Sequence, residues 1–326
     1  MKILVLGAGG MIGRKLVERL LDTGTLRGQP IESVTAFDVR EPDFAHDAIT
    51  VDNVAGDVAD FGMCRDLVSE RPDVIVHLAA IVSGQAEEDF ELGYRINLDG
   101  TRTLFEAIRL EGGRDYAPRV VYASSIAVFG APFPDPIPDD YHLTPLTSYG
   151  VQKAIGELLL MDYTRRGFFD GVGIRFPTIV VRPGAPNAAA SGFFSNIVRE
   201  PLAGEEAVLP VERDVMHWMA SPRAAAGFCV HAAEIDGERI GPRRNLTMPG
   251  VAVTTGEEIE AVRRAGGDDA AALIREEPDE TIRAIVANWP RRFDASRAEE
   301  LGFRAEDDFD AIVAAHMEDE GLARPD

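Results

Sequence analysis

The stretch Gly7-Ala8-Gly9-Gly10-Met11-Ile12-Gly13 constrains this chain more than any other, because it follows one apolar run directly and opens an amphipathic one directly. The run Lys2 to Leu6 is short and rich in Leu, Ile and Val, which reads as a buried strand. Beyond the glycines, Ile12, Leu16 and Leu20, with Val17 and Leu21, recur at three- and four-residue spacing, which reads as a helix. Glycine permits the tight turn between them and lets backbone N–H groups approach an anion, while the helix start presents its positive end. Strand, glycine turn and helix in that order predict a seat for a dinucleotide's pyrophosphate, with Gly7, Gly10, Met11, Ile12 and Gly13 lining it.

The same alternation continues. Ser33 to Phe37, Val74 to Leu78, Val120 to Tyr122 and Gly173 to Val181 read as further buried strands, and Leu98, Thr101, Leu104, Phe105 and Ile108 carry helical spacing. Strands alternating with helices predict an α/β fold, a Rossmann-type doubly wound parallel sheet covered on both faces. With 326 residues, 45% of them hydrophobic, the chain can bury such a core. After about Pro183 the pattern turns to Gly/Pro-punctuated loops and helices, expected at Gly192 to Leu202, Ala224 to Ala233, Ser296 to Leu301 and Asp307 to Met317. Thr255 and Glu258 form an expected capping box opening a helix to Ala265. The expected division is a dinucleotide-binding domain over 1–182 and a smaller, mostly helical substrate lobe over 183–326, some of whose elements could return to the sheet. The ligand would lie between them.

Asp38 closes the second strand 25 residues beyond Gly13, where a carboxylate can accept hydrogen bonds from both adenosine ribose hydroxyls. It would repel a 2′-phosphate, which favours NAD over NADP, although Arg40 is close by. Asp57 and Val58 follow the third strand region and could meet the adenine, or Asp57 could cap the next helix. His77-Leu78-Ala79-Ala80 ends the fourth strand in small residues, as close packing on a ribose or pyrophosphate requires; His77 itself reads as a core histidine.

Tyr149 and Lys153 are four apart in an apolar helical stripe continued by Ile155, Leu158, Leu159 and Tyr163, so both side chains face one way. A tyrosine works as a base near neutral pH only if its phenolate is stabilised, and a fixed ammonium beside it supplies that. Ser125 ends the fifth strand in Val121-Tyr122-Ala123-Ser124-Ser125, where its hydroxyl can reach a substrate oxygen. Ser125, Tyr149 and Lys153 are therefore the expected catalytic set.

A formal charge of -22 disfavours nucleic acid and anionic membranes as partners, and it forces any anionic substrate to find local donors. Two cysteines, Cys64 and Cys229, lack zinc-ligand spacing and are too few for a disulfide framework, so no metal and a reducing compartment are expected. No apolar run approaches a signal core or a membrane span, which makes the cytoplasm the expected location.

Together these residues resemble the extended short-chain dehydrogenases/reductases, which include nucleotide-sugar epimerases and dehydratases. The likeness rests on Gly7, Gly10 and Gly13, Asp38, His77 to Ala80, Asn97 in Asn97-Leu98-Asp99-Gly100-Thr101, Ser125, Tyr149, Lys153 and the late segment Asp294 to Gly302. It covers nearly the whole chain, and within the family the chain looks most like the members that oxidise the four-carbon sugar acid D-erythronate at C2. The resemblance implies that Asn97 orders the cofactor cavity, that Phe176 and Pro177 pack by the nicotinamide, and that Thr178 stands where many epimerases carry asparagine. Dehydratases of the family have an Asp-Glu pair after the catalytic Ser/Thr; here Ile126 and Ala127 occupy those places. The expected activity is NAD-dependent oxidation of a small 2-hydroxy sugar acid to the 2-keto acid. Tyr149 would take the hydroxyl proton, and Ser125 would donate to the same oxygen. Candidates for holding the acid are Ser83, Thr178, Ser191, Arg182 and Arg223. A nucleotide-sugar epimerase and a non-catalytic NAD sensor are the competing readings. Relatives pair through the segments here at Phe90 to Leu110 and Gly150 to Arg166, so a homodimer is expected.

Overall fold

The computed structural model describes residues 1–112, 115–184 and 191–322. Seven strands make the central sheet: β1 (Lys2–Leu6), β2 (Ser33–Asp38), β3 (Thr50–Ala55), β4 (Val74–His77), β5 (Arg119–Ser125), β6 (Asp170–Phe176) and β7 (Asn245–Thr247). Their spatial order is β3-β2-β1-β4-β5-β6-β7 and every pairing is parallel. β4 is buried throughout, and so is β1 after Lys2, without polar alternation. That is what strands covered on both faces require. The order reverses between β1 and β4, so the glycine turn after β1 stands at the switch point where open α/β sheets bind ligands.

Helices α1 (Met11–Thr23), α2 (Phe61–Ser69), α3 (Thr101–Gly112), α4 (Ser148–Arg165), α5 (Gly192–Leu202), α6 (Pro222–Glu234), α7 (Thr255–Ala272) and α8 (Phe309–Asp319) follow in chain order, with shorter ones between them. α1 and α6 pack together on one face of the sheet through Leu16, Leu20, Ala225 and Phe228. α2, α3 and α4 cover the other through Val68, Phe105 and Leu160. Each such fully buried side chain contributes about 1.5–3 kcal/mol of transfer free energy. A second core, holding Phe194, Ile197, Leu209, Met219, Ile259, Val262 and Ile312, unites α5, α7 and α8 into the other lobe.

Two differences from the sequence expectations have local causes. The run Gly173 to Val181 is two strands, not one: β6 stops at Phe176, Pro177 has no N–H to continue the ladder, and Thr178–Ile179 pairs instead with Met216–Ala220 in a separate sheet. The capping box is Thr254 with Glu257, one residue earlier than expected, which leaves Glu258 fully buried on the inner face of α7. α6 and β7, both from the chain beyond 183, pack on and pair with the central sheet.

Candidate active site

The glycine turn is shaped by contact rather than by flexibility. A Cβ on Gly13 would lie 2.1 Å from the Gly7 carbonyl oxygen, and one on Gly7 (φ +87°) 2.6 Å from the Ala79 nitrogen. Gly7 and Ala8 both donate to the Phe37 carbonyl, which clamps the turn to β2. Gly10 caps α1 without a side-chain acceptor, so the first N–H groups of Met11 and Ile12 stay available to an anion. Leu78, Ala79 and Ala80 lie half-buried beside this turn.

The Asp38 carboxylate accepts from Gly9 N–H at 2.9 Å and from Val39 N–H at 2.7 Å, so it is held at the turn's edge, where a ribose diol would meet it. Arg40 is exposed. Asp57 does not cap α2; Asp60 does, accepting from Met63 N–H. Asp57 instead pairs with Arg95 and accepts from Ala59 N–H. Burial alone would raise its carboxyl, but the hydrogen bonds from Arg95 and Ala59 outweigh it and hold the pKa below the usual value. Val58 is buried beside it. Asn97 is buried in a π-helical segment, Tyr94–Gly100, of the kind often found at functional sites. It accepts from Ile81 N–H at 2.9 Å and donates to Gln152 at 2.7 Å, joining the loop after β4 to α4. These features fit a dinucleotide: donors for its phosphates, a carboxylate for a ribose, and small residues where its backbone passes.

The catalytic candidates converge because α4 starts against the strand end that carries Ser125. Thr147 caps α4 by accepting from Gly150 N–H, and Gly150 sits so near the Ala127 carbonyl oxygen that a Cβ would reach 2.2 Å. Of the two serines, Ser124 is buried and gives its hydroxyl to Glu157 at 2.5 Å, while half-buried Ser125 accepts from Ala127 N–H at 3.1 Å. Glu157 also binds Arg175 of β6 in a buried pair, which fixes α4 to the sheet beneath Tyr149. Burial raises the Tyr149 phenol above its ordinary pKa, and the Ser125 hydroxyl and the Arg182 charge oppose that. The Lys153 ammonium donates to the Ala123 carbonyl at 2.8 Å and lies 5.7 Å from the Tyr149 ring centre, within reach of the phenol's charge. Burial pushes the Lys153 pKa down to about 7. His77 is the expected core residue, its Nε2 at 3.0 Å from Thr101 Oγ1 and its pKa pushed down to about 3 by burial.

Of the residues expected to hold the substrate, the structure gathers some and separates others. Arg182 approaches Tyr149 closely enough for their charges to interact. Its guanidinium donates to Ser191 Oγ at 2.9 Å and to the Ile179 carbonyl at 3.3 Å, and no carboxylate pairs with it among the described residues. Neighbouring Arg199 has Glu200. Burial lowers the Arg182 pKa from its usual height, and the Arg199 charge adds to that. Phe176, buried with Pro177, faces Ser125 in register, and Thr178 follows, its hydroxyl 2.6 Å from His217. Ser83 opens a short helix, Ser83–Glu88, packed on α4, with no hydrogen bond to these groups. Arg223 is exposed and paired with Glu318 and Asp319, so its charge is already matched by carboxylates. His217 and Glu157 are absent from the sequence expectations, since only tertiary pairing brings them here.

The NAD dependent epimerase/dehydratase family matches residues 3–233. A D-erythronate dehydrogenase of Cupriavidus necator is 47% identical over 99% of this chain and 100% of its own length. Another, from Haemophilus influenzae, is 36% identical over 98% of this chain and 99% of its own. A crystal structure described as the nucleoside-diphosphate-sugar epimerase from Agrobacterium tumefaciens superposes with a TM-score of 0.97 at 60% identity, covering 99% of this chain and 95% of that one. The chain thus belongs to the NAD dependent epimerase/dehydratase family, and it is an NAD-dependent oxidoreductase of the extended short-chain dehydrogenase/reductase type.

Proposed function

We propose that the chain oxidises a short 2-hydroxy sugar acid, D-erythronate or a close relative, at C2 to the 2-keto acid. The observation that carries this is Arg182: a half-buried guanidinium beside Tyr149, bound among the described residues only to neutral groups, in a chain of net charge -22. Such a cation is costly to leave unpaired, and a substrate carboxylate would complete it. The names of the Cupriavidus and Haemophilus relatives support the same acid.

In this reading Arg182 Nη2 and Ser191 Oγ bind the carboxylate and turn C2 toward Tyr149. Tyr149 Oη takes the proton of the C2 hydroxyl, and Ser125 Oγ donates a hydrogen bond to that oxygen as it becomes a carbonyl. Bound NAD⁺, seated on Gly7 to Gly13 and Asp38, supplies the hydride acceptor. A nucleotide-sugar epimerase is the second reading, favoured by the name of the Agrobacterium relative. The proposal also includes a homodimer, because Phe90, Leu110 and Leu158, in the segments expected to pair two copies, expose 59%, 59% and 60% of their surfaces. Among the described residues no helix is long and apolar enough to cross a membrane.

Arg182→Gln tests the assignment. The KM for D-erythronate should rise by one to two orders of magnitude, matching about 1.5–3 kcal/mol for a hydrogen bond to a charged group, with NADH affinity unchanged. An unchanged KM would remove Arg182 from the substrate site.

A further inference from the structure

Thr178 lies two residues beyond Phe176, the register partner of Ser125, and one before Ile179, whose carbonyl holds the Arg182 guanidinium. Thr178 therefore sits on the backbone between the register partner of Ser125 and the residue that holds Arg182, and it is half-buried. Thr178 Oγ1 is 2.6 Å from His217 Nε2, and His217 Nδ1 is 2.9 Å from the Pro290 carbonyl oxygen. A carbonyl can only accept, so Nδ1 carries the hydrogen. The ring is buried, stacked 5.2 Å from Phe194 and set 5.3 Å from Trp289, and burial pushes its pKa down to about 4. At neutral pH it is uncharged, and Nε2 bears a lone pair alone. Thr178 must then be the donor of the 2.6 Å bond.

We infer that Thr178 is a specificity-determining residue that reads a substrate hydroxyl: with its one proton committed to His217, Oγ1 offers only lone pairs to the ligand. It accepts a hydrogen bond from a hydroxyl beyond C2 of the acid, and it repels a second carboxylate or a carbonyl placed there. Thr178 is thereby removed from the donors available to the substrate carboxylate, which leaves that task to Arg182 and Ser191. The inference rests on the sugar-acid reading and deepens it, separating polyhydroxy acids from simple 2-hydroxy acids. An acceptor left without its hydroxyl costs roughly 10- to 100-fold in kcat/KM, or about 1.4–2.8 kcal/mol.

The experiment compares D-erythronate with (R)-2-hydroxybutyrate, which lacks the further hydroxyls, by kcat/KM in the wild type and in Thr178→Val and Thr178→Ser. The wild type should prefer D-erythronate by about 10- to 100-fold; Thr178→Ser should keep that preference and Thr178→Val should lose most of it. A preference undiminished in Thr178→Val, with both acids still oxidised, overturns the inference alone. No NADH from either acid overturns the sugar-acid reading and the inference with it. Nitrogen NMR of His217 in the wild-type protein gives a check independent of any variant's folding: hydrogen on Nδ1 is expected, and hydrogen on Nε2 contradicts the relay.

Discussion

At the scale of single residues, the proposed chemistry turns on a phenol that burial pushes away from ionisation. Tyr149 has the Ser125 hydroxyl and the Arg182 charge working against that push, so its environment combines proton-holding and proton-releasing influences. Tyr149→Phe deletes only the hydroxyl and should cut turnover by 10²-fold or more while NADH binding, followed by fluorescence titration, stays within about twofold. Turnover above a hundredth of wild type would show that another group takes the proton. Asp38 offers a second test, because Gly9 and Val39 fix its carboxylate beside the turn. NAD⁺ should bind more tightly than NADP⁺, and Asp38→Asn should narrow the gap; equal affinities in the wild type would mean that the carboxylate does not face the ribose. Glycines, Asp38, Ser125, Tyr149 and Lys153 could be singled out as candidates from the sequence because the chemistry expected of them depends on spacing within short segments. The Thr178–His217–Pro290 chain was not, since 39 residues separate its first pair and 73 its second.

At the scale of elements, one residue of register decides the character of a side chain. Thr254 rather than Thr255 caps α7, and the shift turns Glu258 inward, where it is fully buried and neither carboxylate oxygen has a hydrogen-bond partner among the described residues. Burial raises its pKa well above the usual carboxylate range. A carboxyl whose folded pKa exceeds its unfolded one stabilises the fold below the unfolded pKa, and that contribution fades as pH rises toward the folded value. Glu258→Gln removes the dependence. In urea unfolding, the variant should therefore gain on the wild type by about 1.4 kcal/mol per pH unit as pH is raised above about 4.5. A difference that does not change between pH 5 and pH 7 would show that Glu258 ionises freely. Sequence spacing located α7 but not its first residue, because two adjacent threonines each offer a cap and only packing against α5 and α8 selects between them. Pro177 is the comparable case in the sheet: its missing N–H was visible, yet the switch of Thr178–Ile179 to another sheet depends on Met216–Ala220 lying alongside.

At the scale of the molecule, alternation of apolar runs with amphipathic stretches was enough to foresee the parallel sheet, though not its strand order. It was not enough to place β7, whose three residues Asn245–Thr247 reach the sheet edge from within the second lobe. Net charge shows how the whole bears on the site: with 55 acidic residues against 33 lysines and arginines, most cations find partners, as Arg223 does. Among the described residues, half-buried Arg182 has hydrogen bonds to neutral groups and no carboxylate partner. The account's central claim is a net oxidation of a carboxylate-bearing sugar acid, as distinct from an epimerisation that returns the cofactor unchanged. The direct measurement is absorbance at the NADH band after purified protein is mixed with NAD⁺ and D-erythronate, and in parallel with NAD⁺ and a UDP-sugar. NADH should accumulate with D-erythronate alone; an epimerised UDP-sugar without NADH, and no signal from the acid, would contradict the account.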